Sequence, residues 1–406
     1  MDGIAKFVPG SQKQSMNIPE EIRSLEAQLI AWRRDFHRSP ELGLEETRTA
    51  QIAAQTLREL GYEVHEGIAR TGIVGLLRNG AGPIIMVRAD MDALPIQEEN
   101  SVEYASQRPG VMHACGHDGH VAILLGIATA MSQQRERWQG TLMLVFQPGE
   151  EGLNGAEIMI QEGVLERFKP DRALALHLWN DRPVGIVDAT AGPVMAAAET
   201  WEATITGKGG HAAQPAETVD PIVAAAMTVL ALQTIVSRNV PATDAAVVTI
   251  GVIQAGEAFN VIPDQARLRG TVRTYRPQVR ETVLRRLDEI IRGTAEMLGA
   301  SVAMKQYPLT PALVNDAATA QVVQKCIVKV LGEEGLSTGL QVMGSEDFAF
   351  FLQQVPGCFF FVGSGKPGAP RLQHHNPHFD IDESALTIGA AVMFEALQQL
   401  LPRHGD

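Results

Sequence analysis

Ile22, Leu25, Leu29, Trp32 and Phe36 recur at steps of three and four residues, the spacing that lines one face of an α-helix. Asn17-Ile-Pro-Glu-Glu stands just ahead of them, with the cap residue, proline and acids of a helix start. Ser39-Pro40 ends the run, and a second helix is predicted over 45–60, stopping at Gly61. Short apolar runs follow at 62–65, 73–77, 84–87, 141–146 and 173–178, with helical patterns at 121–131 and 156–162 between some of them. Strands that are apolar on both faces and alternate with helices predict an α/β layer with a largely parallel sheet.

The pattern changes near Gly192-Pro193. Glu-Thr-Trp-Glu-Ala-Thr-Ile at 199–205 alternates polar and apolar residues, the mark of a half-buried strand. A helix over 221–237, strands at 246–253 and 266–274, a helix over 277–298 and a strand at 301–307 complete a β-α-β-β-α-β order, which predicts a ferredoxin-like α+β unit. The α/β texture returns at 344–362 and in a last helix over 383–401. The expected organisation is therefore a first catalytic segment at 17–192, an inserted lid at 193–307, and the second catalytic segment at 308–406. No internal repeat or low-complexity tract is visible, and the first 16 residues are expected to be disordered.

Charge and cysteine content narrow the class. The 406 residues carry 34 Lys and Arg against 47 Asp and Glu, a net −13. That balance argues against nucleic-acid binding, which needs clustered cations. Three cysteines without a CxxC motif fit a reducing compartment better than a disulfide scaffold. The start of the chain lacks a signal-peptide or transit pattern. No run approaches 18 apolar residues without charge, so no membrane span is expected. A cytoplasmic location is the resulting expectation.

The candidate chemistry gathers where apolar strands end. Residues 84–87 run into Arg88-Ala-Asp-Met-Asp, 142–146 into Gln147-Pro-Gly-Glu-Glu-Gly, and 173–176 into His177. Ligands of open α/β sheets bind off these carboxyl ends. Six of the eleven histidines fall in two short segments, 112–120 and 374–378. His113, His117 and His120 have helical spacing, but Gly116 and Gly119 argue for a loop leading into a helix start. Singly, each residue has a plain reading as cap, core or surface group. Jointly, Cys, His and Glu from separate segments are the donors of a zinc- or manganese-class site. Ser364 lacks the flanking glycines of a nucleophile elbow, and Gly365-Lys366 lacks the rest of a P-loop. A Cys115/His117 nucleophile pair leaves the twin glutamates unexplained, whereas metal-assisted hydrolysis uses all of these groups.

Arg88-Ala-Asp-Met-Asp-Ala-Leu-Pro, Met112-His-Ala-Cys-Gly-His-Asp, Gln147-Pro-Gly-Glu-Glu-Gly, Gly207-Lys-Gly-Gly-His-Ala-Ala and Gly344-Ser-Glu-Asp-Phe resemble the M20 metallopeptidase family. The similarity is greatest to its amidohydrolase branch of aminoacylases, hippurate hydrolases and auxin-conjugate hydrolases. It implies a catalytic domain with two divalent ions (Zn, Mn, Co or Ni) and a lid that also forms a homodimer or higher homo-oligomer. By motif, the metal ligands would be Cys115, His117, Glu151, His177 and His375, with His374 competing for the last place. Glu150 would be the general base acting on a metal-activated water, and Asp92 the support of the metal site. His211 would stabilise the oxyanion of a neighbouring subunit's site. Arg273 and Asn260 are candidates for holding the substrate carboxylate. The implied reaction is hydrolysis of N-acyl-L-amino acids, with an exopeptidase acting on short peptides as the alternative. A binding protein that has lost catalysis is disfavoured, because no base or ligand is missing. The chain departs from the branch after His211-Ala-Ala, where Gln214-Pro-Ala-Glu follows, and after Glu151, where Gly-Leu-Asn-Gly replaces an all-small run.

Overall fold

A computed structural model describes residues 16–368 and 372–403. Almost all of the segment expected to be disordered thus lies outside the described residues. The predicted first helix is two: Glu20–Arg23 and Glu26–Arg38, broken around Ser24-Leu25. The second is Thr47–Glu59.

The main sheet has eight strands, in the order Glu63–Ile68, Gly72–Asn79, Gly140–Gln147, Ile84–Asp90, Arg172–Pro183, Gly357–Gly365, Val187–Asp188, Leu336–Ser337. Its four central strands, Gly140–Gln147 to Gly357–Gly365, are mutually parallel, and antiparallel pairings flank them. Their near-continuous apolar sequences follow from burial on both faces. Helices Glu26–Arg38, His117–Gln133, Ala317–Leu331 and Ser384–Leu400 contribute to the core on one face. The short helices Gly155–Gln161, Val164–Phe168 and Ala349–Leu352 contribute to the core on the other.

The helix His117–Gln133 takes in Gly119, which the sequence pattern placed in a loop. The reason is packing. A Cβ on Gly119 would sit 2.4 Å from Leu178 Cδ1, so the glycine lets this helix press against the strand bearing His177.

The lid is a separate four-stranded antiparallel sheet, in the order Ala246–Ala255, Gln265–Thr274, Ala197–Thr206, Ser301–Thr310. With its helices this is the predicted ferredoxin-like arrangement. The chain crosses between the two parts twice, and the crossings pair with each other: Gly192–Met195 lies antiparallel to Leu313–Asn315.

The predicted helix over 221–237 is broken at Gln233 into Pro221–Leu232 and Thr234–Asn239. Pro221–Asn239 is nonetheless long and apolar enough, by length and composition, to cross a membrane, with a mean hydropathy of 1.5. The sequence reading expected no such run. Ala224, Ala225, Thr228 and Leu232 bury one face against the lid core, while Ile222, Val223, Met227 and Leu230 remain exposed on the same helix. It is thus a lid helix with an apolar outer face.

Candidate metal centre and catalytic pocket

Four parallel strands end on one edge of the main sheet, and the site grows from there. Ile84–Asp90 leads to Asp90 and Asp92, Gly140–Gln147 leads to Glu150 and Glu151, and Arg172–Pro183 carries His177. Cys115 lies just ahead of His117, the first residue of its helix. Between strand and helix, Gly149 turns the chain with φ 59°, a left-handed conformation that glycine adopts without strain. Glu46 Oε1 accepts a hydrogen bond from the Gly149 amide at 2.9 Å and anchors the turn that presents the two glutamates.

The ring nitrogens show which atoms are free. His177 Nδ1 donates to the Leu178 carbonyl at 2.8 Å, so its Nε2 lone pair faces Cys115 Sγ at 3.5 Å. His117 Nδ1 faces the Asp92 carbonyl at 2.9 Å and Asp92 Oδ1 at 3.2 Å. Its buried Nε2 has no hydrogen-bond partner. His375 Nε2 approaches Glu151 Oε1 to 3.0 Å. Ligand atoms of Cys115, His117 and His177 lie within 4.8 Å of one another, as do those of Cys115, Glu151 and His375, and of His117, Glu150 and Glu151. Imidazole, thiol and carboxylate donors gathered in one cluster, with His117 Nε2 unpartnered, fit divalent transition ions. Asp92 orients two of the donors at once, since its Oδ2 accepts from the Glu151 amide at 2.9 Å.

Two neighbouring histidines are otherwise engaged. His120 Nε2 accepts from the Leu178 amide at 2.9 Å, and its Nδ1 serves Asp90 at 2.6 Å. His374 Nε2 donates to the Leu178 carbonyl at 3.0 Å while its ring stacks on Trp179. Burial lowers its pKa to about 4, so it stays neutral. Of the two adjacent histidines, His375 is the one turned toward Glu151, through a left-handed backbone at φ 63°.

Glu150 shares a cavity of about 340 Å³ with Cys115, Glu151, His177 and His375, walled by Trp179, Met195 and Leu309. Burial, with repulsion from Glu346, Glu151 and Asp347, pushes its carboxyl well above the usual range. Burial likewise raises the Cys115 thiol, with Glu151 adding to the shift. A bound cation would reverse both tendencies.

Sequence reasoning assigned no role to the layer beneath. Arg88 is fully buried and binds Asp90 Oδ2 at 2.6 Å, Glu346 Oε1 at 2.9 Å and Asp347 Oδ1 at 3.1 Å. Gln147 Nε2 clamps Asp347 at 2.7 and 2.9 Å. The available signal was an arginine inside an apolar strand and two acids leading into Phe348.

Three predicted residues lie elsewhere. His211 is exposed on a two-residue lid ladder opposite Val261, Asn260 is exposed beside it, and Arg273 is half-buried in the strand Gln265–Thr274. None lines the cavity that holds Glu150.

A parallel α/β sheet whose strand ends gather Cys, His and Glu donors around an internal carboxylate defines a metal-dependent hydrolase. The chain belongs to peptidase family M20/M25/M40, whose model matches residues 86–399. It is 39% identical over 369 residues to the IAA-amino acid hydrolase ILR1-like 4 of Arabidopsis thaliana, covering 90% of this chain and 83% of that one. It is 38% identical over 352 residues to the hippurate hydrolase of Campylobacter jejuni, covering 86% and 91%. The Bacillus subtilis YXEP protein, described as a dinuclear metal-binding peptidase of the M20 family, matches with TM-score 0.83 and 34% identity over 93% of this chain and 99% of that one. The protein is thus a metal-dependent amidohydrolase of this family.

Proposed function

We propose that this protein hydrolyses N-acyl-L-amino acids to a carboxylic acid and a free amino acid. The observation that carries this is that Cys115, Glu151, His177 and His375 line one cavity with Glu150, and that His117 lies within ligand distance of Cys115, His177 and both glutamates. Two divalent ions held by these residues would supply a water acidified toward neutral pH and a Lewis acid for the amide carbonyl. Glu150 takes the proton of the attacking water and returns it to the leaving nitrogen. Asp92 keeps His117 and the Glu151 backbone in register.

His211, exposed on the lid and away from its own chain's pocket, would serve the developing oxyanion in the site of a second copy. The exposed apolar face of Pro221–Leu232 offers the surface for such a homodimer. Arg273 and Asn260 would hold the substrate carboxylate from that same lid. In this reading the acyl group lies against Trp179, Met195 and Leu309. The three reduced, buried cysteines agree with a cytoplasmic setting.

The test is complementation. Glu150→Gln should retain its metal content and lose about 10²–10⁴ in turnover, and His211→Ala should lose about 10²–10³. Mixing the two inactive variants should restore activity through sites built from one intact half of each. Retained turnover in Glu150→Gln removes that residue from the mechanism, and failure of mixed samples to recover removes the shared site.

A further inference from the structure

The catalytic cavity is not the largest space near the site. A second cavity, of about 480 Å³, lies between the lid and the catalytic domain. Tyr275 of the lid, Pro311 and Val314 of the returning crossing, and Phe350 and Leu352 of the catalytic domain give it apolar walls, and Glu157, Arg276 and the ion-paired Glu199 and Arg280 also line it. Leu309 and Thr310 line both cavities.

Leu309 is an unusual residue at that border. The strand Ser301–Thr310 pairs with Ala197–Thr206 in regular register as far as Pro308 opposite Glu199. Thr310 then stands opposite Ala198. Leu309 is the extra residue of a β-bulge, a device that re-aims a side chain at a strand end. It is 38% exposed, high for a leucine beside a catalytic pocket. Its carbonyl accepts a hydrogen bond from Asn154 Nδ2 at 3.0 Å. Asn154 holds a left-handed φ of 54° in the same loop as Glu150 and Glu151, so the bulge is pinned to the catalytic loop. This is also where the chain departs from the all-small run of its branch.

We propose that Leu309 is a specificity-determining residue that ends the acyl pocket, and that the hinge cavity behind it is a latent extension for longer apolar acyl chains. This rests on the amidohydrolase reading above. The wild-type site then takes compact acyl groups, and loss of the Leu309 side chain joins the two spaces.

The test compares N-acetyl and N-octanoyl derivatives of one amino acid on metal-loaded enzyme. Leu309→Ala should raise the octanoyl-to-acetyl ratio of kcat/KM by about tenfold or more, the range that a few buried methylenes provide. Adding Val314→Trp, an exposed position on the far wall, should return the ratio to the wild-type value. Val314→Trp alone should leave N-acetyl turnover unchanged. As a second readout, calorimetry with octanoate on metal-free protein should show tighter binding to Leu309→Ala than to wild type or the double variant. An unchanged ratio, or a gain that survives Val314→Trp, overturns the gate. If wild type hydrolyses no acyl amino acid, the amidohydrolase reading fails, and the octanoate titration alone decides the gate.

Discussion

Two buried arginines organise two ionic networks in this molecule, and the networks are built differently. Around Arg33, the cationic groups Arg33, Arg34, His37 and Lys366 face the carboxylates Glu98, Asp118, Asp380 and Glu383. The numbers match, and the Tyr104 hydroxyl adds a bond to Asp380 at 2.9 Å. Around Arg88, one guanidinium faces Asp90, Glu346 and Asp347, with Glu150 and Glu151 close by in the cavity. Here carboxyl groups outnumber the one guanidinium, and His117 Nε2 is bare. The first network matches its carboxylates with cationic groups of the chain, although Asp118 Oδ1 has no hydrogen-bond partner. The second has one guanidinium for several carboxylates and gathers metal-ligand atoms of Cys, His and Glu around a cavity, and that difference separates a structural cluster from a functional one.

The largest test of this contrast removes each arginine. Arg33→Met strands several buried carboxylates and should cost about 3–5 kcal/mol, to the same extent with and without metal in urea unfolding. Arg88→Met should cost as much in chelated protein but regain part of the loss when divalent ions are supplied. Equal rescue of both variants would break the comparison.

A middle-sized test removes one carboxylate from each. Asp92→Asn should weaken metal affinity about 10–100-fold, as loss of an outer-shell orienting group does, while Asp118→Asn should leave it unchanged in a competitive chelator titration.

The smallest effect is in pH. Burial and mutual repulsion raise Glu150, Glu346 and Asp347 above the usual carboxylate range. The folded, metal-free protein therefore holds protons that the unfolded chain has released. Stability from these groups is fully present below their ordinary values and is lost as pH rises toward their folded ones. In the other network, His37 is raised by Asp118 and Glu98 against the opposing effects of burial and Arg33. Its contribution is present below the ordinary histidine range and fades only as pH rises through the folded value. Burial holds His113, His120, His177 and His374 below the ordinary histidine value, so their contribution has the opposite sign and is complete once pH exceeds that value. Melting temperatures of chelated protein should thus fall only as pH rises above the ordinary histidine range, and metal should flatten that fall. A metal-independent profile would count against the site.

Much of this was legible in the sequence because strand ends mark themselves. An apolar run that stops at Asp, Glu or His announces both the strand and the edge where ligands bind, and Asp92, Glu150, Glu151 and His177 were found that way. Gly119 was misread because helix propensity is local, whereas its role is set by Leu178 across the sheet. Asp90, Glu346 and Asp347 were visible as motif letters without roles, since only the fold brings segments more than 250 residues apart onto Arg88. His211, Asn260 and Arg273 carry motif signals too, and the resemblance assigns His211 to a neighbouring subunit's site; within one chain none of the three lines the cavity that holds Glu150.

The paired crossings Gly192–Met195 and Leu313–Asn315 have a consequence for the chain as an assembled object. The lid leaves and rejoins the catalytic core at adjacent points, and its own sheet closes with Ala198 beside Thr310. Its ends are thus spliced together by geometry. A short turn joining the two crossings would excise the lid without cutting a strand of the main sheet, and a different module could be grafted at the same seam. The fold is in this sense a cartridge in a fixed holder, with Glu150 and the candidate metal donors all in the holder.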